Sequence, residues 1–315
     1  ELSDLLRRNS LKFALMESPL QSGFGNNILE IYEDASVFAC TKEYLAVEQS
    51  NVKKTNKYTE ELSRQITKVV NNTVVSERID GGFERETYLQ IRYALLNIKQ
   101  SNWRDDLRDE FIVTAQGLRN LLNTAVFSME EMESSIESGK VKFTVMPPRK
   151  RIERLWELSD KAESMQDLCI MISDALEQQY SNMLTATPKG NFLHNYIAEH
   201  GSDRIAVIVP KTYYADILRT GVAGAPSHPN VTYITPSRFQ FKNDYDTVIV
   251  VGEINHRKFD PLSCFSSAYV CVLLYGCEEE TFIYRKKKVQ IYTDSLNAKI
   301  GLSDKQIVSH TATAI

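Results

Sequence analysis

The residues able to do chemistry are scattered, and their spacings fail most catalytic templates. A phosphate-binding loop needs glycines that let backbone N–H groups reach the phosphates, followed by Lys and Ser/Thr. Gly139-Lys140 runs into Val141 with no glycine five residues upstream, and Gly23-Phe24-Gly25 leads into Asn26-Asn27. No G-x-G-x-x-G, G-x-S-x-G or H-E-x-x-H occurs. Val248–Val251 has the apolar character of a Walker B strand, but Gly252 follows where an Asp is needed, and Glu253 stands alone. Asp246 and Glu253 bracket that strand as a nuclease carboxylate pair would. The lysine a nuclease requires two residues on is instead Asn255. The five histidines (His194, His200, His228, His256, His310) share no ligand spacing, and Cys271 and Cys277 have no partners at zinc-site intervals. The expectation is therefore no catalytic residue, no metal and no cofactor within this chain.

These groups must be positioned by elements that the hydrophobic periods reveal. In the first half Leu62, Ile66 and Val69 lie a turn apart, and Gly81-Gly82 break the chain. Tyr88, Ile91, Leu95 and Ile98 then resume a helical rhythm. Leu107, Phe111, Thr114, Leu118, Leu121 and Ala125 keep a 4-3-4-3-4 spacing, one face of a long helix. Ser128 with Glu131 reads as a capping box, Gly139 as the following stop, and Pro147-Pro148 as the next start. Ser164 with Asp167 reads as a second capping box. Val141, Phe143 and Val145 alternate as a short strand would.

The second half changes period. Ile205–Val209, Val231–Ile234, Val248–Val251 and Tyr269–Tyr275 are short apolar runs of the kind buried in parallel sheets, with helical stretches between them, such as Lys211–Thr220 ending near Gly221 and Gly224. Parallel strands need crossovers, so the fold class is α/β, a mainly helical segment 1–184 followed by a RecA-like or Rossmann-like parallel-sheet domain 185–315.

Composition bounds the function. The 315 residues are 43% hydrophobic and 25% charged with a net charge of −4, which excludes a polybasic nucleic-acid coat, a collagen-like chain and extensive disorder. Five scattered cysteines point to reduced, mostly buried thiols and a cytoplasmic setting. No apolar run reaches a membrane span, and no membrane association is expected. The chain opens on Glu1, as a segment of a longer protein would.

The order Thr187-Pro188-Lys189, helix, strand 205–209, helix, strand 231–234, Thr235, then Tyr245-Asp246-Thr247-Val248 resembles the second RecA-like domain of superfamily 1 and 2 helicases over about residues 185–285. In that family this domain supplies arginine fingers near its last strand. The corresponding Phe265–Tyr275 holds no arginine. The resemblance thus implies a degenerate, non-hydrolysing domain. The phrasing of Asp246–Gly252, Phe259-Asp260-Pro261 and Leu273-Leu274-Tyr275 is similar to the DrmE-type component of DISARM anti-phage systems. That similarity implies a scaffold or nucleic-acid-associated subunit, with other subunits of a defence complex as partners and DNA as a further one. Two alternatives stand beside it. One is a fragment of an active helicase or ATPase whose P-loop domain lies outside this chain. The other is a protein-interaction module without nucleic acid.

Two basic clusters are the candidate nucleic-acid contacts. Arg285, Lys286, Lys287 and Lys288 lie between aromatics (Phe282, Tyr284, Tyr292) and follow the last expected strand. Read as a further strand, they alternate between two faces, or form a charged edge that blocks aggregation. Arg149, Lys150 and Arg151, with Arg154 beyond, crowd a helix N-terminus, where the dipole opposes cations. The acidic run Glu278–Glu280 reads as a solvated turn.

Overall fold

In a computed structural model of the chain, the described residues are 36–49, 56–141, 146–219, 228–240, 243–254, 256 and 258–302. They fall into two compact units. One runs from Asn71 to Arg285, and the other combines residues up to Val70 with those from Lys286 onward.

The larger unit is α/β, built on a five-stranded sheet: β1 (Thr73–Ile79), β2 (Ile205–Ile208), β3 (Val231–Ile234), β4 (Thr247–Val250) and β5 (Tyr269–Tyr275). Their order is β1-β5-β4-β2-β3, and every pairing is parallel. The four apolar runs of the second half are strands as expected. β4 and β5 lie in the interior of the sheet, and Val248–Val251 and Val270–Tyr275 are all buried. The chain passes from β2 out to β3, then returns across β2 to β4 and on to β5. The connections that leave β2 and β4 therefore run in opposite directions, which defines a switch point between these two strands.

β1 was not expected. It comes from the helical first half and pairs along its whole length with β5, from Thr73 opposite Tyr269 to Ile79 opposite Tyr275. As an edge strand it is largely solvated. Its Ser76-Glu77-Arg78 centre is exposed, so it shows neither an apolar run nor a clean alternation.

Helices α3 (Arg85–Gln100), α4 (Asp105–Thr124), α5 (Met129–Glu137), α6 (Pro148–Ser159) and α7 (Gln166–Asn182) pack on one another and share one apolar core with the sheet. The 4-3-4 stripe of α4 is that core's spine: Phe111, Leu118, Leu121 and Ala125 are buried. The Ser128 capping box is complete. Ser128 Oγ accepts from Glu131 N at 3.1 Å, and Glu131 Oε2 accepts from Ser128 N at 2.7 Å. Past α5, Gly139 takes φ +67°, a conformation that stops a helix at no steric cost.

The second box fails. Ser164 sits in a 3-10 turn (Glu163–Met165), and α7 begins at Gln166 without a side-chain cap, so the turn's own hydrogen bonding wins over the serine hydroxyl. Val141 is a bend; the remainder of the expected strand, at 142–145, lies outside the described residues, as do Gly221 and Gly224. α8 (Pro188–Glu199) precedes β2, and α9 (Thr212–Arg219) joins β2 to β3.

The smaller unit holds α1 (Lys42–Gln49), α2 (Lys57–Asn71, whose last residue passes into the larger unit) and the later turns of α10 (Gly276–Lys299). Thr41 Oγ1 donates to Asn297 Oδ1 at 2.6 Å, both side chains being buried. Asn297 in turn donates to Glu43 Oε2 at 3.2 Å. No helix among the described residues is long and apolar enough to cross a membrane.

Because β4 is interior and buried on both faces, Val250→Asp places an unpaired carboxylate where no partner exists. The expected outcome is loss of the cooperative thermal transition, read by circular dichroism. A soluble variant with an unchanged melting profile would contradict the interior position of β4.

Candidate functional site at the carboxyl ends of the strands

In open α/β sheets, ligands bind outside the carboxyl ends of the strands. Here that region is organised around a buried ion pair. Thr187 caps α8, its side chain accepting from Gly190 N at 3.2 Å, and Pro188 opens the helix. Lys189 follows and is fully buried. Its Nζ donates to Glu278 Oε2 at 2.5 Å and to Asn123 O at 2.7 Å, and it lies 4.1 Å from the centre of the Tyr275 ring. Burial pushes the ammonium below the usual lysine range, and the Glu278 carboxylate pulls it back.

Glu278 is the third residue of α10. Its Oε2 also accepts from Tyr275 N, just before the helix, at 2.9 Å, and its Oε1 accepts from Glu253 N at 3.2 Å. The first contact is the reciprocal half of a capping box, and a carboxylate in the first turn suits the helix dipole. The expectation of a solvated turn at Glu278–Glu280 is thus wrong for Glu278, which is 8% exposed. Its neighbour Glu280 is the solvated one, pairing with Arg85 at the surface at 2.7 Å.

Two glycine positions make room for this cluster. Gly252, at the end of β4, has φ +129°, and a Cβ there would lie 3.1 Å from Glu278 Oε1 and 3.2 Å from Thr124 Cγ2. Gly82, after β1, passes over the Tyr275 ring so closely that a Cβ would meet Cγ at 2.2 Å. A side chain at either place would displace the residues that hold the pair.

Outside the buried pair, Arg285 bridges Glu253 at 3.1 Å and Asp260 at 3.0 Å. Asp260 also accepts from Leu262 N at 3.0 Å. Burial raises the Glu253 carboxyl above its ordinary range, more than Arg285 lowers it. The result is a closed set of paired charges. Cys277 lies beside it, and burial pushes its thiol up to about 12, as it does for Cys169, Cys264 and Cys271, so none of these four is a thiolate nucleophile near neutral pH.

The structure separates the residues of each basic cluster. Arg285–Lys288 are on helix α10 and not on a strand, so they fan around a helical circumference and do not alternate. The continuous run of helix formers after Gly276 outweighs the alternating aromatics. Arg285 is held by its two carboxylates, while Lys286, Lys287 and Lys288 are exposed. In the other cluster Arg149 and Lys150 are exposed on the first turn of α6, and Arg149 N donates to Glu133 Oε1 at 2.8 Å. Arg151 is buried. Arg154 forms a two-pronged pair with Glu110 at 2.7 and 2.8 Å and also meets Glu157.

Asp246 and Glu253 do lie at opposite ends of β4. Asp246 pairs with Arg204 at 2.9 Å, at the amino end. His200 stacks on Tyr196 with ring centres 4.1 Å apart, His194 is exposed on α8, and His256 Nδ1 accepts from Lys258 N at 3.1 Å; His310 lies outside the described residues. Among the described residues no group of three or more His, Cys, Asp or Glu is arranged to hold a metal ion. Sequence reasoning quoted Lys189 only within Pro188-Lys189 and did not pair it with Glu278, since nothing local links positions 89 residues apart.

No protein-family model matches the chain, and neither does any curated protein.

Removing one partner of a buried pair strands the other, at a cost of about 3–5 kcal/mol. Lys189→Met is expected to lose stability on that scale in urea denaturation. The double variant Lys189→Met/Glu278→Gln should recover part of the loss, because a glutamine oxygen still accepts from Tyr275 N and Glu253 N. Additive losses in this cycle would show that the two side chains are not coupled.

Proposed function

We propose that the chain is a non-catalytic, helicase-like scaffold subunit of a prokaryotic anti-phage complex, associating with nucleic acid through surface cations rather than through the ends of its sheet. The observation that carries this reading is the engagement of Lys189. A lysine opening a helix beside the carboxyl ends of parallel strands is well placed to meet a phosphate. This one already directs its donors to Asn123 O and Glu278. A nucleotide phosphate would have to break that pair and leave a carboxylate buried without a cation. Arg285, the cation nearest the last strand in sequence, is likewise held between Glu253 and Asp260. Transition-state stabilisation of a transferring phosphoryl group needs a cation free to move onto it, and this cluster offers none.

The association with nucleic acid draws on Lys286, Lys287 and Lys288, exposed on α10, and on Arg149 and Lys150 on α6. Successive helical residues diverge by about 100°, so at most about two of the three lysines face one strand. Membership of a defence complex rests on the sequence resemblance.

The purified chain should release no phosphate from ATP above buffer background, with or without single-stranded DNA. Release that co-elutes with the protein and scales with its concentration would overturn the reading. Single-strand binding should be weak, with log affinity falling against log salt at a slope of about −1.4, two phosphates at ~0.7 each. Lys286/Lys287/Lys288→Glu should abolish it. Identical binding by the triple variant would remove these lysines from the interface.

A further inference from the structure

Arg151 is a buried cation without a counter-charge among the described residues. It lies in the first turn of α6, a turn that holds no acidic residue, and it is 8% exposed. A helical side chain leans toward the N-terminus, and Arg151 Nε duly reaches back to donate to Met146 O at 2.8 Å. That contact uses one of the five N–H donors of the guanidinium. Other arginines of this unit are differently placed: Arg154 meets Glu110 and Glu157, and Arg285 meets Glu253 and Asp260. The titratable groups that face Arg151 are the phenols of Tyr213 and Tyr214 on α9. Burial holds both above the usual phenol range, so they are neutral near pH 7 and offer no countercharge. Among the described residues, the buried nitrogens sealed without a partner include Arg119 Nε but none of Arg151's, so the end of its fork keeps slight contact with solvent.

The seat of this guanidinium is built by a glycine. Gly117 lies in the middle of α4, where glycine weakens a helix. A Cβ at that position would stand 3.0 Å from Arg151 Nη1. The missing side chain leaves room for Nη1 against α4. An arginine does not escape burial by losing its proton. None of the described residues supplies a carboxylate to this cation, so the compensating charge is left to a ligand.

We propose that Arg151 is the receptor for a terminal phosphate group, the phosphomonoester end of a ligand entering beside α4, α6 and α9. The guanidinium fork presents two parallel donors to two oxygens of one phosphate. At 8% exposure the guanidinium can be met end-on by a small headgroup and not by the flank of a duplex. Lys150, exposed on the same helical turn, adds positive charge, whereas Arg149 pairs with Glu153 at 3.7 Å and its N–H already donates to Glu133 Oε1 at 2.8 Å, so recognition rests on the Arg151 fork. This goes beyond the scaffold reading and does not depend on the sheet-end cluster. Two sources share the chemistry: a small phosphorylated molecule, and the 5′-phosphorylated end of a nucleic-acid strand.

The test compares melting of the full chain in inorganic phosphate, acetate and chloride at equal ionic strength. Phosphate several-fold above its dissociation constant should raise the wild-type midpoint by roughly 2–4 °C, with no rise in acetate. In chloride, Arg151→Met should melt no lower than wild type, because an unpaired buried charge has been removed, and it should not respond to phosphate. Gly117→Ala should also melt no lower, while its phosphate response shrinks as the Cβ displaces the fork. Four results overturn the proposal: no wild-type response, an equal response in Arg151→Met, an equal response to acetate, or an Arg151→Met midpoint several degrees low in chloride, which would make the guanidinium a structural strut. The source is read with single strands bearing a 5′-phosphate or a 5′-hydroxyl. A preference for the phosphorylated end that vanishes in Arg151→Met assigns the strand end. Equal binding of both strands, beside a phosphate response, assigns a small phosphorylated molecule.

Discussion

The ion pair between Lys189 and Glu278 is the constraint from which the surrounding geometry follows. A lysine buried to this degree is tolerable only with its donors filled, and each acceptor fixes a different element. Asn123 O ties it to the end of α4, Glu278 to the start of α10, and the Tyr275 ring to β5. Glu278 spreads the same constraint further, through the backbone of Tyr275 and Glu253. Gly252 and Gly82 are where they are because the pair and its aromatic floor leave no room for a Cβ. The end of the sheet where α/β proteins place ligands here holds a paired lysine and glutamate.

The contrast with Arg151 is instructive. Both are cations under helix starts, on α8 and α6, and both are buried. One has a carboxylate brought to it from a distant part of the chain. The other has a single carbonyl oxygen and a glycine that makes space. Burying a charge beside its partner adds rigidity and specifies one arrangement. Burying it without one leaves a group whose environment improves when an anion arrives. The same residue chemistry therefore serves architecture at one site and recognition at the other.

Much of the α/β architecture is legible in the sequence because the interior strands are continuous apolar runs and the helices keep a regular stripe. Ile205–Ile208 and Val270–Leu274 need no context to be read as buried strands, and Ser128 with Glu131 specifies its own cap. β1 escapes because an edge strand is only partly buried, so Ser76, Glu77 and Arg78 carry no periodic signal. The basic run 285–288 misleads because Phe282, Tyr284 and Tyr292 alternate like strand residues, although the 24-residue segment from Gly276 to Lys299 has no internal glycine or proline to interrupt a helix. The sheet-end cluster is invisible for a different reason. Lys189 and Glu278 are joined by topology alone, and the burial of Glu278 runs against the usual preference of its residue type.

The pairing of β1 with β5 has a consequence for the order of assembly. Residues 73–79 wait for residues 269–275 before they gain a hydrogen-bonding neighbour, and the seven helices α3 to α9 and three strands lie between them in the chain. Closing so long a loop costs entropy before any contact repays it, the condition that slows folding. During synthesis the edge strand and the α8 lysine both emerge long before their partners. For that interval the nascent chain carries an unpaired strand and a lysine that stays hydrated, since burying its ammonium before Glu278 arrives would cost several kcal/mol. The segment that resolves both is one short stretch, β5 and the first turn of α10, so the edge strand and the buried lysine depend on the same late-emerging residues.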